Sequence, residues 1–527
     1  MKKQKIFRDP VHGYITIDSD IVEEIIDTAL FQRLKRIEQT SMRCVYPAAR
    51  HDRFIHSLGT YYLAKVAVEA MINNTPQLKE IENGGEYKSL TFNFEMAALL
   101  HDVGHSPLSH TLEYNYRTIN ENFSTEIQKN INDYLVWKLF PEDEMGNKIK
   151  RFSKDFDSAQ PNEHEIVSAI LVCEEFHKSL KMLCTKRDIS LDLEFIVRCI
   201  IGATYSDSSI INRTYRNSLI KLLNSQAIDV DKLDYIKRDS VVSGYENISV
   251  DCTRLLGSLK YVEKNNTTYI VFGKPSLSVI QNVVDCRNKL YRWIYGHHKV
   301  VYESNLIKTA FEKAINIDPK DDNTEKREEY FSLTAVTDNL ISDDDIWGLF
   351  KQKYRDLNSN IKEIDRLFDR RNHHIPLWKS LAEFNLLFPP SEKNNPVGKF
   401  SRDKMLNICS MGSQSEMFKD FITYINQKIR DYNKSDEDVA LFLTSTLKIN
   451  VISDSDVYIE VNDEIYSYTH IMKDSCNENL KSFVYAYIDK SLLNDKFKKM
   501  FETDKKSFLA EFVNIIKEYP EFAVTIE

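Results

Sequence analysis

The residues best suited to chemistry lie in FEMAALLHDVGHSPLSHTLE, residues 94–113. An apolar run from Phe94 to Leu100 leads into His101-Asp102, and Gly104 is expected to let the backbone leave helical geometry before His105, Pro107 and His110. An imidazole and a carboxylate on consecutive residues diverge by about 100° around a helix, so both reach one cation only near a helix end. Other parts of the chain must then supply further ligands. His56 is a candidate, beside the helically spaced apolar residues Ile55, Leu58, Tyr62, Val66 and Ala70. A lone His there is more often a hydrogen-bonded core residue, but Arg53 would present a cation toward the same groove. His164 falls in the first turn of PNEHEIVSAILV, where the acidic neighbours suit a solvated helix start.

A second informative stretch is LIKLLNSQAIDVDKLDYIKRDSVVSGY, residues 219–245. Leu222, Ile228, Leu233 and Ile236 mark a buried stripe, while Asp231, Tyr235 and Arg238 recur at helical spacing on another face, flanked by Lys232 and Asp239. Such a face suits either a salt-bridged surface or an anion site.

The elements that must position these groups are mostly helical. Only 14 Gly and 13 Pro in 527 residues leave little room for tight turns, and the length allows two to four domains. KIFRDPVHGYITID reads as extended, because Pro10 forbids a helix across it. Asp20 is expected to cap the helix that follows, with Ile21, Val22, Ile25, Ile26 and Ala29 on its apolar face. A second helix, over about 28–40, would turn Phe31, Leu34 and Ile37 inward and Gln32, Arg33, Lys35 and Arg36 to solvent. Strand-like runs fall in 251–275, a long helix in 276–316, and helix continues to roughly 386. FPPSEKNNPVG suits a linker, which predicts a domain over 1–386, a linker over 387–398 and a smaller α+β lobe over 399–527 with strands in LKINVIS and VYIEVND.

A net charge of -9 argues against a nucleic-acid coat. No apolar run approaches the roughly 20 residues of a membrane span, and MKKQKIFRDP lacks the apolar core of a secretory signal. Eight cysteines without CxxC spacing suit reduced thiols. These features predict a cytoplasmic protein with no membrane partner.

With His56, His101-Asp102 and Asp231 in view, the chain resembles the HD-domain metallophosphohydrolases and, more narrowly, the deoxynucleoside triphosphate triphosphohydrolases. The resemblance is carried by FRDPVHGYI, DTALFQRLKRIEQ, HDRFIHSLG, HDVGHSPLSH, NEHE, IDVDKLDYIKRD and RNKLYRWIYGHHKV. It implies a mainly α fold, an HD-domain helical core with a smaller α+β C-terminal lobe, and the catalytic part opening the chain with no sterile alpha motif region before it. It also implies one divalent metal held by His56, His101, Asp102 and Asp231, with Mn, Fe, Mg, Zn, Co and Ni all compatible and Mg accompanying the nucleotide. In the family, attack on the α-phosphorus releases nucleoside and intact triphosphate.

By the same resemblance His105, His110, Glu113 and His164 surround the reacting phosphate, His110 or His164 handling the proton and His105 a phosphate oxygen. Arg53, Lys232, Tyr235 and Arg287 match residues that hold the triphosphate, and Gln39, Asp239 and Tyr295 match those around the sugar. Lys5, Asp27, Gln32 and Lys35 match an allosteric nucleotide site, which implies an activating nucleotide and a homo-oligomer, whether dimer, tetramer or hexamer. Glu113 stands where vertebrate members have Asp, and Lys35 where an Arg reads guanine, so guanine as activator does not follow. Two alternatives remain at this stage. One is an HD phosphodiesterase acting on another nucleotide or nucleic acid, the other a nucleotide-sensing interaction protein.

Overall fold

The computed structural model describes residues 3–523 except 82–83, 120–122, 124–129, 142–145, 226–227, 246–248, 265–266, 316–323, 357–359, 371–373, 390–399, 413–414, 431–437, 448–456, 463 and 472–480. The fold is mainly α with small sheets. Its strands are β1 (Gln4–Asp9), β2 (Gly13–Asp18), β3 (Leu259–Lys264), β4 (Thr267–Gly273), β5 (Ile375–Pro376), β6 (Ala440–Leu447), β7 (Tyr458–Val461), β8 (Glu464–Ser467) and β9 (Lys481–Ile488). Among the described residues no helix is long and apolar enough to cross a membrane.

The chain forms two compact units, neither continuous in sequence. One holds Met1–Leu290, Lys308–Ser359 and Asn450–Glu478, the other Tyr291–Ile307, Asn360–Ile449 and Asn479–Glu527. The units therefore exchange at several points away from the expected linker over 387–398, most of which lies outside the described residues. VYIEVND, expected in a C-terminal lobe, joins the first unit instead. There β7 pairs in parallel with β4 at Val271 and Tyr458, because the β3–β4 hairpin leaves one edge of β4 open to a partner. The strand expected in LKINVIS falls mostly outside the described residues.

In the first unit, β1 and β2 form the hairpin that Pro10 and Gly13 require, Gly13 at φ +83°. Asp20 does not cap the next helix. Asp18 occupies the N-cap without a side-chain bond, and Asp20, already inside the helix, accepts from Ile21 N at 3.0 Å and pairs with Arg187 at 2.8 Å. The helix expected over 28–40 is shorter, Ala29–Gln32 followed by a 3-10 turn Arg33–Arg36. It ends because Ile37 turns extended and residues 37–39 bond across to 51–53, Arg53 N donating to Ile37 O and Gln39 N to His51 O.

The helix Arg53–Asn74, capped by the Asp52 carboxylate on Ile55 N, packs against Gly85–Leu100 and Val230–Ser243. Gly59 permits that last approach, since a Cβ there would sit 2.0 Å from Asp234 Oδ1. Gly104 acts likewise rather than as a conformational escape. A Cβ on it would meet Ser168 N at 2.3 Å, so the His101-Asp102 loop lies directly against the helix Glu163–Leu171. The long helix expected over 276–316 is interrupted between Leu277–Leu290 and His298–Ile315 by the wide turn Tyr291–Tyr295 and Gly296. β5 breaks the helical stretch expected to reach 386.

The second unit is built on the antiparallel sheet β5-β9-β6. Phe421, Phe442, Val484, Ile488, Phe512 and Phe522 lie in its core, and the buried Trp378 donates its indole N–H to Val484 O at 2.5 Å.

Candidate functional site

His101 caps the C-terminal end of Gly85–Leu100, where the helix stops and Asp102 can turn toward the same space. His56 comes from the first turn of Arg53–Asn74 and Asp231 from the first turn of Val230–Ser243. His56 Nε2 lies 3.0 Å from Asp231 Oδ1 and 3.5 Å from Asp102 Oδ2, and His101 Nε2 lies 3.5 Å from Asp102 Oδ1 and 3.6 Å from Asp231 Oδ1. Ligands about 2.1 Å from a shared cation stand about 3.0 Å apart along an octahedral edge and about 3.4 Å apart in a tetrahedron, so this spacing fits a shared ion.

The tautomers fit too. His56 Nδ1 faces Asp234 Oδ2 at 2.7 Å and His101 Nδ1 faces Ala98 O at 2.9 Å, so each ring donates through Nδ1 and keeps its lone pair on Nε2. Among the described residues neither buried Nε2 atom has a hydrogen-bond partner, which suits a ligand atom. Burial alone would depress His56, yet Asp231, Asp234 and Asp102 raise it to about 10; a cation would take the place of that proton. Burial works against the Asp102 carboxylate as well, but Arg53, then His101 and His56, hold it well below the usual range.

A second cluster adjoins the first, His105 Nε2 lying 3.6 Å from Asp102 Oδ1. Glu113 joins two of its members, with Oε1 2.6 Å from His164 Nδ1 and Oε2 2.7 Å from His110 Nδ1. The His105 and His164 rings stack at 4.1 Å. Burial disfavours the charged form of His164, but Glu113 outweighs it and raises the imidazole to about 9, while burial and Arg53 push His105 well below its ordinary value. His164 is therefore buried, not the solvated helix start that its neighbours suggest.

Other candidates divide. Arg53 is buried and directs Nη1 to Asp102 at 2.8 Å, Nε to Ser109 Oγ at 3.1 Å and Nη2 to Gln39 O at 3.1 Å, so it orients a ligand and brings Gln39 beside the site. Lys232 Nζ is held 2.7 Å from both Asp229 Oδ2 and Ser225 O. Asp239 pairs with His51 Nε2 at 2.6 Å. Tyr235 and Arg287 belong to the same unit as these groups, whereas Tyr295 belongs to the other. Arg238 leaves the expected anion face. It is buried against Asp234 and Asp9, each at 2.8 Å, because an interior guanidinium needs carboxylate partners. Lys5 pairs with Asp27 at 2.9 Å, and Lys35 donates to Gln32 Oε1 at 2.7 Å.

Sequence reasoning missed Asp234 and His12, whose Nε2 lies 2.6 Å from Asp234 Oδ1, although both stand inside the motifs IDVDKLDYIKRD and FRDPVHGYI. It also placed Arg33 in solvent. Arg33 is buried, with Nη2 on His105 O at 2.8 Å and Nε on Ile341 O at 2.6 Å.

Two histidines and two carboxylates thus converge at the ends of packed helices in the order expected of an HD-type metal site. No protein-family model matches the chain. It is 30% identical over 319 residues to the deoxynucleoside triphosphate triphosphohydrolase SAMHD1 of Gallus gallus, covering 59% of this chain and 45% of that protein. It is 26% identical over 352 residues to a putative HD domain-containing protein of Acanthamoeba polyphaga mimivirus, covering 64% and 63%. The uncharacterized protein YwfO of Bacillus subtilis is 24% identical over 298 residues, covering 56% and 53%. The chain thus spans about half the length of several curated relatives it matches. A crystal structure of a hypothetical protein from Aquifex aeolicus shares the fold at a TM-score of 0.57 and 18% identity, covering 95% of this chain and 100% of that one. The relatives the chain matches thus include deoxynucleoside triphosphate triphosphohydrolases and an HD domain-containing protein, which supports an HD-domain assignment.

Proposed function

We propose that this protein hydrolyses deoxynucleoside triphosphates to deoxynucleoside and inorganic triphosphate. Water adds to the α-phosphorus, the bond from that phosphorus to the 5′ oxygen breaks, and the 5′ oxygen takes up a proton. The observation that carries the reading is the closure of His56, His101, Asp102 and Asp231 on one space beside the Glu113-braced histidines. Those four side chains would hold a divalent cation, which would supply Lewis acidity toward the charge building on phosphorus. His164, kept protonated near neutral pH by Glu113, and His110, held at Nδ1 by the same carboxylate, are the acids for the departing oxygen.

In this reading Lys232, Tyr235 and Arg287 bind the triphosphate and Arg53 acts beside it through Asp102. Gln39 and Asp239 border the sugar. The Lys5–Asp27 and Gln32–Lys35 pairs form a surface for an activating nucleotide on a homo-oligomer, and the cellular role is control of deoxynucleotide pools or antiviral defence. Purified protein given manganese or magnesium and each deoxynucleoside triphosphate, singly and in mixtures, is expected to release triphosphate. Orthophosphate or pyrophosphate as the product instead would overturn the reading.

A further inference from the structure

The loop between His105 and His110 has an unusual backbone. Leu108 and Ser109 are consecutive left-handed residues, at φ +57° and +48°, and neither is glycine. Such a pair persists only where surrounding groups impose it. Asp343, the first residue of the helix Asp343–Arg355, supplies the restraint: its Oδ1 accepts from Leu108 N at 2.6 Å and its Oδ2 from Glu38 N at 2.9 Å. Ser109 Oγ in turn donates to Glu38 O at 2.5 Å and accepts from Arg53 Nε at 3.1 Å, and Ser106 Oγ donates to Ser109 O at 2.7 Å. Arg33 ties the same two segments from the other end, through His105 O at 2.8 Å and Ile341 O at 2.6 Å.

We propose that Asp343, with Arg33, is a positioning residue that sets the separation of His105 and His110 by holding Leu108 and Ser109 in left-handed geometry. Among the described residues the Asp343 carboxylate bonds only to backbone donors, so it acts through the loop and not on a substrate. Its carboxylate suits the task because two separate oxygens each accept from a different segment, where an amide or hydroxyl offers a single acceptor oxygen. Arg33 provides the converse, a forked donor on two carbonyls. The kinetic consequence rests on the triphosphohydrolase reading; the geometric one does not.

The test compares the full chain with Asp343→Ala, Asp343→Asn and Asp343→Ala combined with Leu108→Gly, measuring amide hydrogen exchange over residues 103–111, metal content, kcat and KM. Asp343→Ala is expected to raise exchange in that loop about tenfold or more relative to the rest of the unit, and to lower kcat by about 10- to 100-fold with metal content unchanged. KM should stay within about threefold, because the binding groups are untouched. Asp343→Asn, which keeps one acceptor, should fall between and provides the measurement where the alanine variant fails to fold. Leu108→Gly should recover part of the lost kcat, since glycine adopts the left-handed backbone without a restraint. Unchanged exchange over 103–111, or a loss of kcat that only follows loss of metal or of global stability, would overturn the proposal. Should the unmodified chain release no triphosphate, the functional reading fails, while the exchange comparison still decides the role of Asp343.

Discussion

Asp234 Oδ2 lies 2.7 Å from His56 Nδ1, and the other oxygen of the same carboxylate lies 2.6 Å from His12 Nε2. Arg238 completes the group with two 2.8 Å contacts to Asp234 and one of 2.8 Å to Asp9, the last residue of β1 in the N-terminal hairpin. The orientation of a candidate metal ligand thus depends on a strand pair far away along the chain.

Replacing Asp234 with Asn should weaken metal binding by about 10- to 100-fold, since the second carboxylate–histidine contact fixes both the tautomer and the basicity of His56. Titration with manganese followed by calorimetry reads this directly. The same substitution removes one of the two buried carboxylates that face Arg238, leaving Asp9, and should cost about 1–3 kcal/mol of stability. Unchanged metal affinity would show that His56 holds its place without Asp234.

Gly59→Ala should disturb the same group from the opposite side. Its Cβ would stand 2.0 Å from Asp234 Oδ1 and 2.4 Å from Arg238 Nη2, neither of which can retreat without losing buried partners. A loss of about 1–3 kcal/mol in denaturant unfolding is expected, accompanied by weaker metal retention.

The Glu113–His164 pair carries a pH signature. His164 is raised from 6.5 to about 9 by Glu113 against burial, so its contribution to stability is fully present below about pH 6.5 and is lost as pH rises through 9. Glu113→Gln should remove that contribution, about 3 kcal/mol at most. The stability difference between the two proteins should accordingly be flat from pH 5 to 6.5 and shrink toward pH 9. A difference that grows with pH would contradict the pairing.

A cation should stabilise the first unit by relieving the crowding of Asp102 and Asp231 around His56 and His101. At about 100 times the dissociation constant the gain is about 2.7 kcal/mol, visible as a rise in melting temperature when manganese is restored after chelation. His101→Ala should abolish that rise, because it removes a ligand whose Nδ1 is already anchored at Ala98 O.

Sequence by itself determined the helical character, the extended segment around Pro10 and a short list of candidate side chains for a cation. Those follow from local propensity, from residue type and from motifs each confined to a few turns. It did not reveal that Arg33 and Arg238 are buried, because a basic residue on an amphipathic pattern reads the same whether water or a carboxylate lies opposite. Only the tertiary structure decided the groups that orient the ligands. His12 meets Asp234 across 222 residues and Asp343 meets Leu108 across 235, separations at which no local pattern carries information. The same holds for β7, whose place beside β4 was set by an open sheet edge and not by its distance along the chain.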